Sequence, residues 1–339
     1  MKGSLLPAGK LDVQILRKLL RRYAKTDERV LLGPRIGEDA AAIDMGEKVL
    51  IVTTDPITFA TDEIGYYSVM VNANDIATTG AEPRWYTVTI LLPEKQGNEG
   101  LVNSIFQQVH RACEKLSISL IGGHTEITHD LDRPILVGQM MGEVQKEALI
   151  TTAGAEPGDL ILLSKGICIE GTSIIAREKE GDLWSRGISK DLVERAQDFL
   201  FDPGIGVVKE ARAAVQAGLV HSMHDPTEGG LANGLYELAT AAGVQIEVEA
   251  DRIPIYEESR VLCEAFDLEP LGVIASGSLL IAASPPETEK ILEKARRDGV
   301  SLTRIGRVKA SGSPSVTMMS SKGYEPLPYF ERDEVTKIF

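Results

Sequence analysis

The stretch that decides the fold is GPRIGEDAAAIDMGEKVLIVTTDP, residues 33–56. Asp39 follows a glycine-containing turn, and Asp55 follows the apolar run 49–52, which is typical of a strand buried on both faces. Pro56 has no N–H to donate, so we expect it to end the strand. A carboxylate beside a buried strand must be neutralised, hydrogen-bonded or bound to a cation. Either aspartate taken alone is explained as a turn cap, so the case for a site depends on the rest of the chain.

The composition favours a globular protein of two domains that does not bind nucleic acid. At 339 residues the chain exceeds the size of one ordinary hydrophobic core. Its net charge is −14 without any basic block, whereas nucleic-acid and anionic membrane surfaces need clustered Lys and Arg. The negative charge does not exclude an anionic ligand, because backbone N–H groups and a divalent cation can hold phosphates on an acidic protein.

The cysteines and the apolar segments indicate a cytoplasmic protein. Cys113, Cys168 and Cys263 lie far apart in apolar surroundings without a CxxC pair, as expected of buried thiols in a reducing compartment. The first residues lack the apolar core of a signal peptide, and no run is long enough to span a bilayer. We therefore expect no membrane partner.

Strand-like and helical segments alternate in both halves of the chain, which predicts an α/β (α+β) fold with two mixed sheets. Turn-forming residues without apolar periodicity fill residues 151–159. We place the domain boundary there, giving an N-terminal domain of residues 1–152 and a C-terminal domain of residues 153–339. The apolar strand 85–92 is expected to leave an open edge in an isolated N-terminal domain, and such an edge predicts a homodimer.

Two segments of the N-terminal half carry polar groups in unusual positions. Residues 64–80 are typical of an apolar helix with one polar stripe, which faces either solvent or a polar cavity; its members are Ser68, Asn72, Asp75 and Thr79. Residues 119–121 predict a short strand that runs into a turn at residues 122–126. Such a turn offers free backbone N–H groups, and its two glycines permit close approach to a phosphate.

Four aspartates, each at the junction of a strand or helix with a small-residue turn, form the candidate metal site: Asp39, Asp55, Asp75 and Asp225. Oxygen-only ligands of this kind suit Mg²⁺, which keeps waters and is shared between a few carboxylates and substrate phosphates. Residues 166–173 mimic the glycine spacing of a P-loop but lack its lysine, so we exclude a Walker site. The combination predicts a nucleotide-phosphate site in which metal ions neutralise a transferring phosphoryl group.

Several short motifs follow one another in a characteristic order. They are GEDAA (37–41), TTD (53–55), NDIATTGAEP (74–83), GGHTE (122–126), PGD (157–159) and HDPTEGGL (224–231). This order resembles that of the ATP-binding superfamily of aminoimidazole ribonucleotide (AIR) synthetase (PurM), which includes selenophosphate synthetase, thiamine-monophosphate kinase and the hydrogenase-maturation protein HypE. The resemblance is closest to HypE-like proteins because of the last motif.

The resemblance implies a two-domain AIR synthetase-like fold. Its N-terminal mixed sheet would close a barrel with the sheet of a second subunit, and its C-terminal domain would be α/β. ATP and Mg²⁺ would lie in the cleft between the domains. The implied metal ligands are Asp39, Asp55, Asp75 and Asp225. The nucleotide contacts are assigned to Gly37, Thr54, Asn72, Gly122, Gly123, His124 and Thr125.

Three departures from the family pattern narrow the expected function. His124 stands where the kinase branch has an aspartate, and the segment before Leu11 lacks the Cys or Sec arm of selenophosphate synthetase. Residues 335–339 lack the terminal cysteine on which HypE carries its carbamoyl group. We therefore expect an ATP- and Mg²⁺-dependent phosphoryl-transfer enzyme that activates an oxygen nucleophile of a small molecule or of a protein, without a thiol carrier.

Two other functions stay open from the sequence. The chain could be a non-catalytic ATP-binding partner in a hydrogenase-type maturation complex, or a thiamine-monophosphate kinase-like enzyme. Turnover of ATP with an added acceptor separates the first of these from an active phosphoryl-transfer enzyme.

Overall fold

The computed structural model describes residue 6 and residues 9–25, 27–58 and 60–339. The helices are α1 (Val13–Tyr23), α2 (Ile64–Thr78), α3 (Glu99–Leu116), α4 (Ile169–Glu178), α5 (Glu180–Ser185), α6 (Lys190–Asp198), α7 (Val208–Ala217), α8 (Gly230–Ala242), α9 (Glu257–Phe266) and α10 (Pro285–Arg297). The strands are β1 (Val30–Leu32), β2 (Ala41–Asp44), β3 (Lys48–Ile57), β4 (Glu82–Pro93), β5 (Ser119–Thr128), β6 (Ile135–Gln145), β7 (Leu160–Ser164), β8 (Ser222–His224), β9 (Val244–Glu249), β10 (Leu280–Ala283), β11 (Leu302–Ser311), β12 (Ser315–Ser320) and β13 (Gly323–Pro326).

The strands form two mixed sheets, one in each half of the chain. The first has the order β1-β2-β3-β6-β4-β5, and the second has the order β13-β12-β9-β11-β7-β10-β8. Each contains one parallel pair, β4 with β5 and β12 with β9, among antiparallel neighbours. The predicted α/β architecture with two mixed sheets is confirmed. The domain boundary between residues 152 and 153 stays a prediction.

Helix α2 lies at the centre of the molecule, and all fifteen of its residues are buried. It packs on β3, β6 and α3 of the N-terminal half. Its Asn74 side chain also bonds to the second half of the chain. Nδ2 donates to the carbonyl of Ile205 (2.9 Å), and Oδ1 accepts from the N–H of Val207 (2.8 Å). Because this amide is fully buried, its bonds hold the C-terminal half against α2.

The polar stripe of α2 faces the N-terminal sheet, and Asp75 is its member that reaches a cavity. Ser68 Oγ lies 2.6 Å from the hydroxyl of Tyr86, and Asn72 bonds to the backbone of Asp55. The expectation that the stripe faces solvent or a cavity is therefore wrong for Ser68 and Asn72. A helix that is buried on all sides must pair its polar groups with other protein groups.

Strand β3 differs from its prediction in two ways. The apolar run 49–52 alternates between buried and half-buried residues, so it is not buried on both faces. Pro56 does not end the strand, which continues to Ile57 along β6. Since β2 pairs with β3 only at residues 49–52, Pro56 has a neighbouring strand on one side, and such an edge position tolerates the missing N–H.

The edge strands of the N-terminal sheet are β1 and β5, not the strand that contains residues 85–92. Strand β4 lies between β6 and β5, so both of its edges are paired. Nine of the ten residues of β5 are exposed, including Leu120, Ile121 and Ile127. The homodimer stays a prediction, and its structural basis moves to β5.

The predicted turn at residues 122–126 is wrong, because these residues continue β5. Gly122 pairs with Thr87 and Gly123 pairs with Val88 in the parallel ladder with β4. A Cβ on Gly123, whose φ is +154°, would lie 2.1 Å from the carbonyl oxygen of Val88. Glycine is therefore needed here for the close approach of two strands.

The cysteines and the C-terminal segment are packed into the structure. All three cysteines are buried and free, as predicted. Leu327 is buried, and its carbonyl accepts a hydrogen bond from the hydroxyl of Tyr236 (2.7 Å). In the described part of the chain, no helix has the length and apolar character that a bilayer crossing requires.

Candidate active site

An acidic cavity of about 210 Å³ lies between the two halves of the chain. Residues of both halves line it, and Lys10 of the N-terminal segment is among them. Its acidic lining residues are Glu38, Asp39, Asp55, Asp75, Glu170 and Glu228. Three of the four predicted metal ligands therefore face one cavity.

Local structure orients Asp39, Asp55 and Asp75 toward one another. Asp39 precedes β2, Asp55 lies near the end of β3, and Asp75 lies on α2. Thr53 Oγ1 lies 2.6 Å from Asp75 Oδ2 and 3.0 Å from the carbonyl oxygen of Asp39. Asn72 Oδ1 accepts from the N–H of Asp55 (3.0 Å), and its Nδ2 donates to the Asp55 carbonyl (3.4 Å). These bonds fix the carboxylate of Asp75 and the backbone of Asp39 and Asp55 without any ligand.

Burial and crowding oppose ionisation of the clustered aspartates. Burial raises the pKa of Asp75 well above its ordinary value, and Asp55, Asp225 and Asp39 raise it further. Burial also raises the pKa of Asp55. The pKa of Asp225 is raised well above its ordinary value, first by burial and then by Asp39. Because each carboxylate penalises the next, a cation in this place would stabilise all of them.

The carboxylate of Asp225 is buried without hydrogen-bond partners in the part of the chain that the structure describes. Asp225 follows β8 and is 2% exposed. Neither of its carboxylate oxygens has a hydrogen-bond partner among the described residues. A buried carboxylate without donors is costly unless it takes up a proton or a cation. Asp225 is therefore placed to receive one or the other.

His224 connects the two halves and holds a positive charge beside Asp39. Its Nδ1 lies 2.9 Å from Asp39 Oδ2, and its Nε2 lies 3.0 Å from Glu237 Oε2. Since both nitrogens face carboxylates, both donate and the ring is an imidazolium. Burial lowers the pKa of His224, but Asp39 and Glu237 outweigh burial and raise it well above its ordinary value. The sequence suggested no role for His224, although it opens the HDPTEGGL motif.

Lys10 reaches the same wall from the N-terminal segment, a contact for which the sequence carries no signal. Its Nζ lies 2.9 Å from Glu228 Oε2 and 4.0 Å from Glu237 Oε1, and it donates to Thr227 Oγ1 (3.0 Å). Partial burial lowers the pKa of Lys10, but Glu237 and Glu228 raise it, and the net direction is upward. Lys10 therefore adds a permanent positive charge at the rim of the cavity.

Glu38 joins the N-terminal sheet to the segment between the two halves. Its two carboxylate oxygens accept hydrogen bonds from the backbone N–H groups of Thr152 (3.0 Å) and Ala153 (3.2 Å). Burial raises the pKa of Glu38, and these two bonds partly offset the rise. Glu38 therefore fixes the wall next to Asp39.

The donor set fits a divalent cation whose coordination is completed by waters and substrate. In the part of the chain that the structure describes, no group of three or more His, Cys, Asp or Glu side chains is placed to hold a metal ion by itself, so waters and substrate oxygens would have to supply most of the ligands. Asp39 is moreover paired with His224. The other three aspartates supply oxygen donors only, which suits Mg²⁺, because Mg²⁺ keeps several waters and uses one or two carboxylates with phosphate oxygens.

The residues assigned to the nucleotide are dispersed. Residues 122–125 lie on the exposed edge strand β5 and do not line the cavity. Thr54 Oγ1 donates to the carbonyl of Gly138 (2.7 Å). Gly37 has φ +85°, and a Cβ there would lie 2.8 Å from the carbonyl oxygen of Glu237. Thr54, Gly37 and Asn72 therefore have structural roles in the single chain, and Asn72 acts by orienting Asp55.

Comparison with known proteins gives matches along most of the chain. Residues 37–144 match the family model for the N-terminal domain of AIR synthase related protein. Residues 156–319 match the family model for the C-terminal domain of AIR synthase related protein. The two models together cover most of both sheets and all four candidate metal ligands.

Individual relatives match over nearly their full length. The carbamoyl dehydratase HypE of Cupriavidus necator is 29% identical over 330 residues, which cover 93% of this chain and 88% of that protein. The hydrogenase expression/formation protein HupE of Azotobacter chroococcum is 28% identical over 291 residues, 83% of this chain and 82% of that protein. The solved structure of hydrogenase maturation protein HypE in complex with ATP has a TM-score of 0.72 at 22% identity and covers 96% of this chain and 97% of that one. This last match shows a shared fold.

Proposed function

Because the chain belongs to the AIR synthase related protein family, we propose that it is an ATP- and Mg²⁺-dependent phosphoryl-transfer enzyme that activates an oxygen nucleophile of its acceptor. The observation that carries this proposal is the carboxylate cluster: Asp39, Asp55 and Asp75 line the cleft. Asp225, which does not line the cleft but interacts electrostatically with Asp75, is buried with both oxygens unpartnered among the described residues. Bound Mg²⁺ would neutralise charge on the transferring phosphoryl group.

The clustered aspartates and their supports would have separate tasks. Asp55, Asp75 and Asp225 would hold the metal. Thr53 and Asn72 keep Asp75 and Asp55 in position through the hydrogen bonds described above. Groups that are oriented before binding lose little entropy when the metal arrives, which favours tight binding.

The two cations beside the cluster would act on different partners. His224 donates a charge-assisted hydrogen bond to Asp39 Oδ2 at 2.9 Å and so orients this carboxylate. Lys10 at the rim would contact the oxygens of the incoming phosphates, because an ammonium group is a mobile point charge that suits phosphate. Its present partners, Glu228 and Thr227, keep it near the cavity.

The acceptor in this proposal is a diffusible small molecule or the side chain of a partner protein. Burial raises the pKa of the Cys113 thiol to about 11 and raises that of Cys168 well above its ordinary value. Buried thiols of this kind are poor nucleophiles and poor carriers. We also propose a cytoplasmic homodimer that pairs through β5.

A second candidate is a non-catalytic ATP-binding partner in a hydrogenase-type maturation complex. The dispersal of the predicted nucleotide contacts in the single chain favours it. The two candidates differ in whether ATP is consumed.

The test measures ADP release from Mg²⁺·ATP across a panel of metabolites and maturation proteins. The wild type should release ADP only with Mg²⁺ and an acceptor, and Asp225→Asn should slow release by roughly 100-fold. Asp251→Asn, at an exposed position, is the matched control and should leave the rate unchanged. Binding of a non-hydrolysable ATP analogue without ADP release from any mixture would favour the second candidate. An unchanged rate in Asp225→Asn would contradict the assignment of Asp225.

A further inference from the structure

A second pair of unpartnered polar atoms lies on the C-terminal wall of the cavity. Glu170, in the first turn of α4, is 5% exposed, and Ser276, in the loop before β10, is 1% exposed. Glu170 Oε2 and Ser276 Oγ have no hydrogen-bond partner among the described residues. Both residues line the cavity, as do the apolar Ile174 and Ile274. Buried polar atoms are normally paired, so these two indicate a ligand with complementary groups.

The cations near the cavity are paired with other residues. Lys10 is bonded to Glu228, and His224 is bonded to Asp39. Neither of them forms an ion pair with Glu170 in the described structure. Glu170 is therefore a buried acid whose counter-charge must come from outside the described chain, or which must stay protonated.

The surroundings hold Glu170 in the protonated form at neutral pH. Burial raises the pKa of Glu170 to about 8. The hydroxyl and backbone N–H of the neighbouring Ser276 lower the pKa of Glu170 in part, whereas the charges of Glu228 and Asp333 raise it further. Tyr67 of α2 is a neutral phenol whose hydroxyl donates to Ser173 Oγ (3.0 Å), and burial raises the pKa of Tyr67 above its ordinary range. A positively charged ligand would displace the proton and pair with the carboxylate.

We propose that Glu170 and Ser276 form an acceptor subsite for a positively charged nitrogen group, an alkylammonium or amidinium, carried on a short apolar body. The nitrogen would donate to the Glu170 carboxylate and to Ser276 Oγ, and the carbon atoms would contact Ile174 and Ile274. The apolar neighbours and the single carboxylate fit such a group better than a metal ion, which needs several oxygen donors. This inference rests on the proposed function, since it names the chemical class of the acceptor.

The test uses n-butylammonium as the probe and 1-butanol as its neutral counterpart of equal length. Binding of each to the intact protein is followed by NMR titration from about pH 6 to about pH 9, a range that spans the pKa of Glu170. Butylammonium affinity should rise by about tenfold per pH unit and level off above about pH 8, because only ionised Glu170 pairs with it. Glu170→Gln should weaken binding at least about tenfold at the highest pH and remove the pH dependence.

Matched variants separate this subsite from the aspartate cluster. Ser276→Ala should weaken butylammonium binding by roughly threefold, and Glu257→Gln, at an exposed position of α9, should leave it unchanged. The inference is overturned if the wild type shows no binding at about 50 mM probe, if Glu170→Gln binds equally well, or if 1-butanol binds with the same affinity and the same dependence on Glu170.

Binding of Mg²⁺ with a non-hydrolysable ATP analogue is measured on the same proteins. This second measurement distinguishes failure of the subsite from failure of the proposed phosphoryl-transfer function. Retained nucleotide binding with no butylammonium binding overturns the subsite alone. If the wild type binds butylammonium in a way that depends on Glu170, the subsite is supported. If the same wild-type protein does not bind the nucleotide, only the proposed function is overturned.

Discussion

Replacing Asp75 with asparagine should stabilise the unliganded protein while it weakens binding of Mg²⁺ with nucleotide. Burial and three neighbouring carboxylates raise the pKa of Asp75 well above its ordinary value. A raised pKa in an acid means that the folded state resists ionisation. The penalty is absent below the unfolded pKa of about 4, grows as the pH rises from there toward the folded pKa, and levels off above it.

The magnitude follows from the linkage between pKa and stability. Each pKa unit corresponds to about 1.4 kcal/mol, so the asparagine variant should gain at least about 1 kcal/mol at about pH 8 and much less at about pH 5. Thr53, whose Oγ1 lies 2.6 Å from Asp75 Oδ2, can still donate to the amide oxygen. The substitution therefore removes charge and keeps the local hydrogen bond.

Urea denaturation of the unliganded protein at both pH values measures the gain in the free energy of unfolding, with Asp251→Asn at an exposed position as the control. Calorimetry with Mg²⁺ and a non-hydrolysable ATP analogue should show an affinity at least about tenfold lower in Asp75→Asn. Equal changes in stability at the two pH values would refute the electrostatic reasoning. Wild-type nucleotide affinity would refute the role in metal binding.

Three further predictions concern the fold, the cysteines and the assembly. Gly123→Ala should lower the free energy of unfolding by at least about 2 kcal/mol in urea denaturation, because its Cβ would meet the Val88 carbonyl. Gly181→Ala is the control, since a Cβ at Gly181 has open space and should not destabilise the protein. Equal effects of the two substitutions would contradict the close approach of β4 and β5. A variant with alanine at all three cysteines, once shown to be folded by circular dichroism, should keep its ADP release within about twofold, and loss of turnover would restore a thiol carrier. Light scattering should give twice the 36.7 kDa chain mass, and Ile127→Lys on the exposed face of β5 should lower it to one chain; a wild-type monomer at micromolar concentration would refute the dimer.

The sequence was sufficient to predict the fold class and the aspartate cluster. Asp55 comes after an apolar run within β3 and Asp75 lies on an apolar helix, so each stood out against its own local pattern. Their meeting in one cavity follows from α2 packing on β3, which is the usual result of an α/β alternation.

Residues whose roles depend on distant partners could not be predicted in this way. His224 and Asp39 are 185 positions apart, and no local pattern relates them. Gly122 and Gly123 have the local preference of a turn, and only the parallel pairing with β4 makes them part of a strand. Asn72 was assigned to the nucleotide, and no local pattern shows that its amide bonds to the backbone of the neighbouring strand; a nucleotide contact of Asn72 stays a prediction.

The most direct test of the carboxylate cluster is a crystal structure with a non-hydrolysable ATP analogue and Mn²⁺, located by anomalous scattering. Mn²⁺ is chosen because, like Mg²⁺, it prefers oxygen ligands. We expect a metal peak within coordination distance, about 2.2 Å, of carboxylate oxygens of Asp55, Asp75 or Asp225, with the analogue's phosphates on its other side. A metal peak outside the cavity, or a bound nucleotide whose phosphates do not reach these aspartates, would contradict it.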